Sequence, residues 1–239
     1  MSIARSILYG AGHVLHPRML WLMVWPMLVA LAIWGTAALV LWGKLAFGLA
    51  DWLRQGLDYA LSWAQVDFGA ATLVAANVLL FIAFVPLVYL TALFILGIFG
   101  MQQMVDYVAQ RSYPALERRR GGGIAGTGWN SLVAFIGLIG FGALSIPLWL
   151  FPPLWPIIPL VILGWVNQRL LRYDALADHA DAQEMQQIFR ARRGALYVMG
   201  LFLGLAAYVP LLGFFAPVVF GLAFIHYLLG ALERHRTGT

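Results

Sequence analysis

Trp129 to Gln168 is forty residues without a formal charge, and its middle reads Ile146-Pro147-Leu148-Trp149-Leu150-Phe151-Pro152-Pro153-Leu154-Trp155-Pro156. Water does not tolerate an uninterrupted apolar run of this length, so the stretch belongs in hydrocarbon. As one straight helix it would measure about 60 Å at about 1.5 Å per residue, twice the roughly 30 Å hydrocarbon core. Four prolines within ten residues remove backbone donors and break the helix there. The reading is therefore two apolar arms folded back at a proline-rich tip, entering the membrane and returning to the side they left.

Composition supports this reading. Hydrophobic residues make up 62% of the 239 positions and charged residues 10%. Soluble domains average roughly 25% charged residues, so the chain is expected to be an all-α integral membrane protein. The ~10-residue alternating strands of a transmembrane barrel are missing from the sequence. Cysteine is absent, which excludes disulfides and thiolate catalysis. The net charge of +5 is assigned to orientation in the bilayer rather than to nucleic acid.

Outward from the decisive stretch, the same logic divides the chain. Residues 1–18 form a charged start. Residues 19–43 hold 25 uncharged positions and read as an uncleaved first transmembrane helix. Residues 44–67, with Lys44, Asp51, Arg54, Asp58 and Asp67 among leucines, read as an amphipathic segment at the opposite, periplasmic interface. Residues 68–105 are a long second helix, kinked near Pro86, that runs on into the polar segment 106–128. The glycines 121–123 read as a flexible turn, since no Lys-Ser/Thr follows to make a phosphate loop. After the hairpin at 129–168, residues 169–193 are polar with a broken apolar stripe, as in a surface helix pair. Residues 194–232 repeat the uncharged, proline-divided pattern around Tyr208-Val209-Pro210-Leu211-Leu212-Gly213-Phe214-Phe215-Ala216-Pro217, and 233–239 are a basic tail.

Thirteen of the fifteen Lys and Arg fall in 1–18, 106–120, 169–193 and 233–239. If basic segments stay in the cytoplasm, these four share that side, with both termini cytoplasmic. The architecture expected is two long transmembrane helices plus two Pro-tipped helical hairpins. The hairpin arms either span steeply or penetrate part-way, and part-way insertion needs a tip covered by protein or lining water.

Candidate chemistry lies at helix ends. His16-Pro17-Arg18 precedes the first long helix, with Met19 after it. Proline pre-sets a helix start, the first amides and the helix dipole favour an anion, and Arg18 adds a planar donor fork; the alternative is an arginine that only anchors the helix at headgroups. Asp106, with Gln102, Gln103 and Arg111, stands where an apolar helix turns polar and can line or gate an aqueous path. Asn167, Gln168, Arg169 and Arg172 end the first hairpin and can draw an anion inward, or simply anchor it. His226 is the one histidine of its hairpin, without sequence neighbours for a proton relay. No nucleophile–base set, metal cluster or nucleotide loop occurs, so neither enzyme activity nor a cofactor is expected.

The order of elements resembles the CysZ-type sulfate permeases and the wider etoposide-induced transmembrane protein family. The resemblance is carried by Gly12-His13-Val14-Leu15-His16-Pro17-Arg18-Met19-Leu20 with Pro26-Met27-Leu28. It continues through Gly100-Met101-Gln102-Gln103-Met104-Val105-Asp106, Tyr173 to His179, Glu184-Met185, and Val209-Pro210-Leu211-Leu212-Gly213. The chain departs where the family often has a glycine and an arginine pair, since it carries Pro17 and the single Arg18. The resemblance implies two spans and two hemi-penetrating hairpins in a homo-oligomer of a bacterial inner membrane. It also implies passive sulfate entry that feeds sulfur assimilation, with the anion near His16 to Arg18. The other function open at this point is a non-transporting membrane protein that acts through partners at 106–128 and 169–193.

Overall fold

The computed structural model describes residues 2–63 and 67–238. These residues form eight α-helices and no strand. The helices are α1 (Ile3–His13), α2 (Pro17–Ala60), α3 (Gly69–Ser112), α4 (Ile124–Ser145), α5 (Ile157–Leu176), α6 (Ala182–Ala191), α7 (Arg193–Ala206) and α8 (Pro210–Thr237). Two 3₁₀ turns, Ile146–Leu150 and Pro152–Leu154, join α4 to α5. Five stretches are long and apolar enough to cross a membrane, so the chain is an all-α integral membrane protein.

Several boundaries differ from the sequence reading. The start at 1–18 contains a helix, α1, whose Ser2 side chain accepts the Arg5 amide N–H at 3.3 Å and so caps it. Residues 44–60 are helical and not set off from what precedes them. They continue α2, a helix of 44 residues, because no glycine–proline pair or capping residue interrupts the ladder at Lys44. Residues 64–66, at the end of that reading, lie outside the described residues. Pro26 and Pro86 sit inside α2 and α3 without ending them.

The chain forms two compact units, residues 21–98 and residues 1–20 with 99–239. The first unit is a pair of apolar helical stretches with a narrow seam. Ala30, Val88 and Ala92 are buried there, flanked by Met27, Trp34 and Phe84. Two indoles tie the seam: Trp34 Nε1 donates to Thr91 Oγ1 and Trp42 Nε1 to Asn77 Oδ1, each at 2.9 Å. The remaining apolar surface points outward, with Leu39 90% exposed. In lipid such surface needs no cover.

The second unit is built on α8. Leu222, Ala223, Phe224, Ile225, Leu228, Leu229 and Leu232 are fully buried in it. A helix apolar all round is a core helix, and here α1, α5 and α7 pack on it. Close approach depends on missing side chains. A Cβ on Gly10 of α1 would lie 2.1 Å from the Val219 carbonyl oxygen of α8, and one on Gly200 of α7 would lie 2.3 Å from the Gly164 oxygen of α5.

Both proline-divided stretches are helical hairpins. α4 and α5 hold 22 and 20 residues, about 33 and 30 Å, which matches a hydrocarbon core. α7 holds only 14 residues, about 21 Å, and α8 holds 28. The tips meet, since the Tyr208 hydroxyl donates to the Pro156 carbonyl at 3.0 Å. Within the first tip, Trp149 Nε1 donates to Ser145 Oγ and Trp155 Nε1 to the Trp149 carbonyl. Those indole donors are therefore satisfied without water.

The glycine-rich piece is not a free turn. The amides of Arg120, Gly121 and Gly122 donate to the carbonyls of Asp178, Ala180 and Ala177 at 2.9–3.1 Å. A Cβ on Gly121 or Gly122 would fall within 2.6 Å of that backbone or of Ala177. Glycine is present because two backbones touch, not because the chain must bend freely.

Candidate functional site

Away from the hairpin tips, the second unit gathers the arginine-rich segments. Asp181 caps α6 by accepting the amides of Gln183 and Glu184, while Glu184 Oε2 accepts the Asp181 amide, a reciprocal capping box. The box fixes Glu184, which is 7% exposed. Its carboxylate then receives Arg119 Nη1 at 2.9 Å and both Nε and Nη2 of Arg236 at 2.9 Å. Arg236 also donates to the carbonyls of Glu117 and His179. One carboxylate thus joins three segments, 106–120, 169–193 and the chain's end, at one place. These hydrogen bonds, Arg236's first, hold the Glu184 carboxyl down to about 2. His179 beside it is buried, and burial followed by the charge of Arg118 keeps its ring below its ordinary value.

The expected anion site lies in the same unit, at the start of α2. Met19 is buried, whereas Pro17 and Arg18 are exposed and His16 is half-buried. The amides there do not stand open. Arg18 N–H donates to His16 Nδ1 at 3.3 Å, and Met19 and Leu20 N–H donate to the His16 carbonyl at 2.8 and 3.0 Å. His16 acts as the cap of α2, and Pro17 has no N–H to offer. At the start of α2 the group that offers charge to an incoming anion is therefore the exposed Arg18 guanidinium rather than the helix amides.

The structure rearranges the other expected residues. Asp106 pairs with Arg118, and Arg111 is exposed on the following turn. Gln102 Nε2 reaches Asp178 Oδ2 at 3.4 Å. Arg169 lies over the Trp165 ring at 5.5 Å, its Nε buried without a hydrogen-bond partner and its carbonyl accepting Asn130 Nδ2 at 2.9 Å. Arg172 lies over Phe189 at 4.7 Å. The two α5 arginines are thus held by aromatic rings.

A ladder of rings was not legible in the sequence. His226 of α8 stacks on Tyr9 at 4.1 Å, Tyr9 on His13 at 4.0 Å, and Tyr107 of α3 meets both His13 and His16, at 6.1 and 5.2 Å. Ser6 Oγ lies 3.4 Å from His226 Nδ1, and Tyr9 Oη lies 3.0 Å from Ser112 Oγ. His226, alone within its hairpin, has its partners on α1 and on residues 107–113. The ladder runs from the core helix to His16, beside Arg18, and Tyr107 sits next to Asp106 in the chain. It ties the start of α2 to the end of α3. The α1 spacing of Tyr9 and His13 by four was its one signal in the sequence.

Among the described residues no group of three or more His, Asp or Glu stands close enough to hold a metal ion. What the site offers is cationic and aromatic.

No curated protein and no solved structure matches the chain. A family model does match, over residues 6–217, a range that includes most of α1, the whole of α2 to α7, and the second hairpin tip. The chain is a multi-pass membrane protein that belongs to the Sulfate transporter CysZ/Etoposide-induced protein 2.4 family.

Proposed function

We propose that the protein is a passive permease for sulfate or a similar oxyanion, located in a bacterial inner membrane with both termini in the cytoplasm, and that it works as a homo-oligomer supplying sulfur assimilation. The observation that carries this reading is the family match across residues 6–217, which takes in His16, Pro17, Arg18 and Met19. The convergence of three of the arginine-rich segments on Glu184 supports it, since a positive-inside arrangement requires such segments to share one face. In this reading Arg18 recognises the anion by a charge-assisted fork. His16 and Met19 fix the helix start that carries it. The Asp106–Arg118 pair sits at the inner end as a gate, with Arg111 presenting positive charge to the aqueous side and Arg169 and Arg172 drawing the anion along α5. No energy-coupling motif is used, so flux follows the gradient.

The second reading is a membrane protein of the same family that moves no anion and acts through partners. The observation in its favour is that the α2 amides are already bonded to His16. Radiolabelled sulfate uptake into liposomes separates the two. The permease gives flux above empty vesicles, and Arg18→Ala lowers it at least about tenfold, equivalent to roughly 1.4 kcal/mol of lost recognition. Wild-type protein that gives no flux removes the permease reading.

A further inference from the structure

Arg18 is exposed at the start of α2, yet its own backbone amide is already taken. Arg18 N–H donates to His16 Nδ1 at 3.3 Å, just past the usual range for a backbone donor. The helix start rests on other bonds. Pro17 pre-sets the backbone, and the Met19 and Leu20 amides donate to the His16 carbonyl at 2.8 and 3.0 Å, an acceptor that any residue at this position supplies. The imidazole therefore occupies a donor beside an exposed guanidinium without being needed for the helix. A ring of α3 keeps it there. Tyr107 meets His16 with centroids 5.2 Å apart and planes inclined at 54°. The Tyr107 hydroxyl is buried and has no hydrogen-bond partner among the described residues. Tyr107 thus contributes its ring to this contact and not its polar end.

An oxyanion drawn to the Arg18 guanidinium meets the same amide, because both belong to one residue. Charge-assisted hydrogen bonds are roughly twice as strong as neutral ones, so an anion displaces a neutral ring from a long bond. The affinity observed is then the intrinsic one, reduced by the fraction of molecules whose ring is turned aside.

We propose that His16 is a built-in competitor at the anion site: its imidazole stands in for the oxyanion on the Arg18 amide, and Tyr107 is the positioning residue that holds it there. This rests on the reading of Arg18 as the group that recognises the anion, and adds what regulates its affinity. The test is equilibrium dialysis of radiolabelled sulfate against purified full-length protein in neutral detergent, at fixed pH and ionic strength. The half-saturation of liposome flux is measured beside it. His16→Ala frees the amide and should lower both constants about two- to tenfold, the equivalent of one neutral hydrogen bond. His16→Ser, whose hydroxyl can accept the same amide, should return them toward wild type. Tyr107→Ala should lower them about twofold. Tyr107→Phe, which keeps the ring and drops the unpartnered hydroxyl, should match wild type. A purely structural cap predicts the reverse, so binding in His16→Ala that is unchanged or weaker overturns the proposal. If His16→Ala does not fold, Tyr107→Ala against Tyr107→Phe carries the decision, and equal constants in that pair overturn it. Arg18→Ala separates the two ideas. Wild-type binding that Arg18→Ala weakens, with no tightening in His16→Ala, leaves anion recognition standing and removes the competitor. Sulfate binding undetectable in wild type and His16→Ala alike removes both.

Discussion

The two hairpins share a weak sequence pattern, uncharged and divided by prolines, and differ in their surroundings. In the first, the apolar window of Ala125–Leu150 is 11% buried inside the protein and that of Pro152–Leu176 22%. In the second, the window of Leu212–Thr237 is 72% buried. Both are charge-free and both break at prolines. The difference is what covers them: α1, α5 and α7 pack on α8, while most of α4 faces outward. The lesson is that hydropathy identifies which residues leave water but not whether lipid or protein replaces it. To a leucine side chain the two are almost equivalent.

Single substitutions can break that contrast. The largest effect is expected at Leu228, fully buried on α8. Leu228→Ala should lower stability by roughly 2–5 kcal/mol through the cavity it leaves. Leu150→Ala, at an 81% exposed position of the first tip, should stay within about 0.5 kcal/mol. Denaturation in mixed micelles compares them directly, and equal losses would mean that the first tip is covered too.

The next effect tests the close helix approach. Gly10→Ala pushes a methyl onto the Val219 carbonyl of α8 and should cost about 1–3 kcal/mol or more. Gly142→Ala, on α4 with open space around it, should be neutral or gain up to about 1 kcal/mol from helix propensity. Thermal melts of the pair in detergent give the sign.

Glu184 sharpens the comparison at the base of the second hairpin, where it binds Arg236. A carboxyl held down to about 2 from an ordinary 4.5 contributes stability that is complete above 4.5. That contribution is lost as pH falls from 4.5 toward 2. Glu184→Gln should lose about 1–3 kcal/mol at neutral pH. The gap between variant and wild type should close across that acid window, as measured by unfolding at stepped pH. A gap that stays constant with pH would show that the carboxylate charge is not what joins the segments. The smallest effect belongs to Arg118→Ala. Its pair with Asp106 is about 40% exposed on each side and should contribute less than about 1 kcal/mol to stability. A change in liposome flux without a change in melting would mark the pair as a gate.

How far the sequence reading reached follows from particular residues. Lys44 and Asp51 looked like the start of a surface segment, but charges on one helix face do not end a helix, and α2 runs on to Ala60. Gly121 and Gly122 looked like a hinge, but they are the contact points of two backbones. Asp106 was read with Arg111, its neighbour in sequence, and instead meets Arg118. The Asp181-x-x-Glu184 capping box was present in the sequence as a pattern. Its role as the meeting point of Arg119 and Arg236 was not, because those partners lie 65 and 52 positions away.

What the sequence determined alone is the class of environment: which stretches avoid water, where prolines fold them back, and on which segments the arginines collect. These follow from transfer energies and backbone donors, both local properties. Only the tertiary structure decided that α8 is the core, that Tyr9 bridges His13 and His226, and that Glu184 meets Arg119 and Arg236. Each of those depends on which helix stands beside which. Packing of small residues sets that, and apolarity is blind to it.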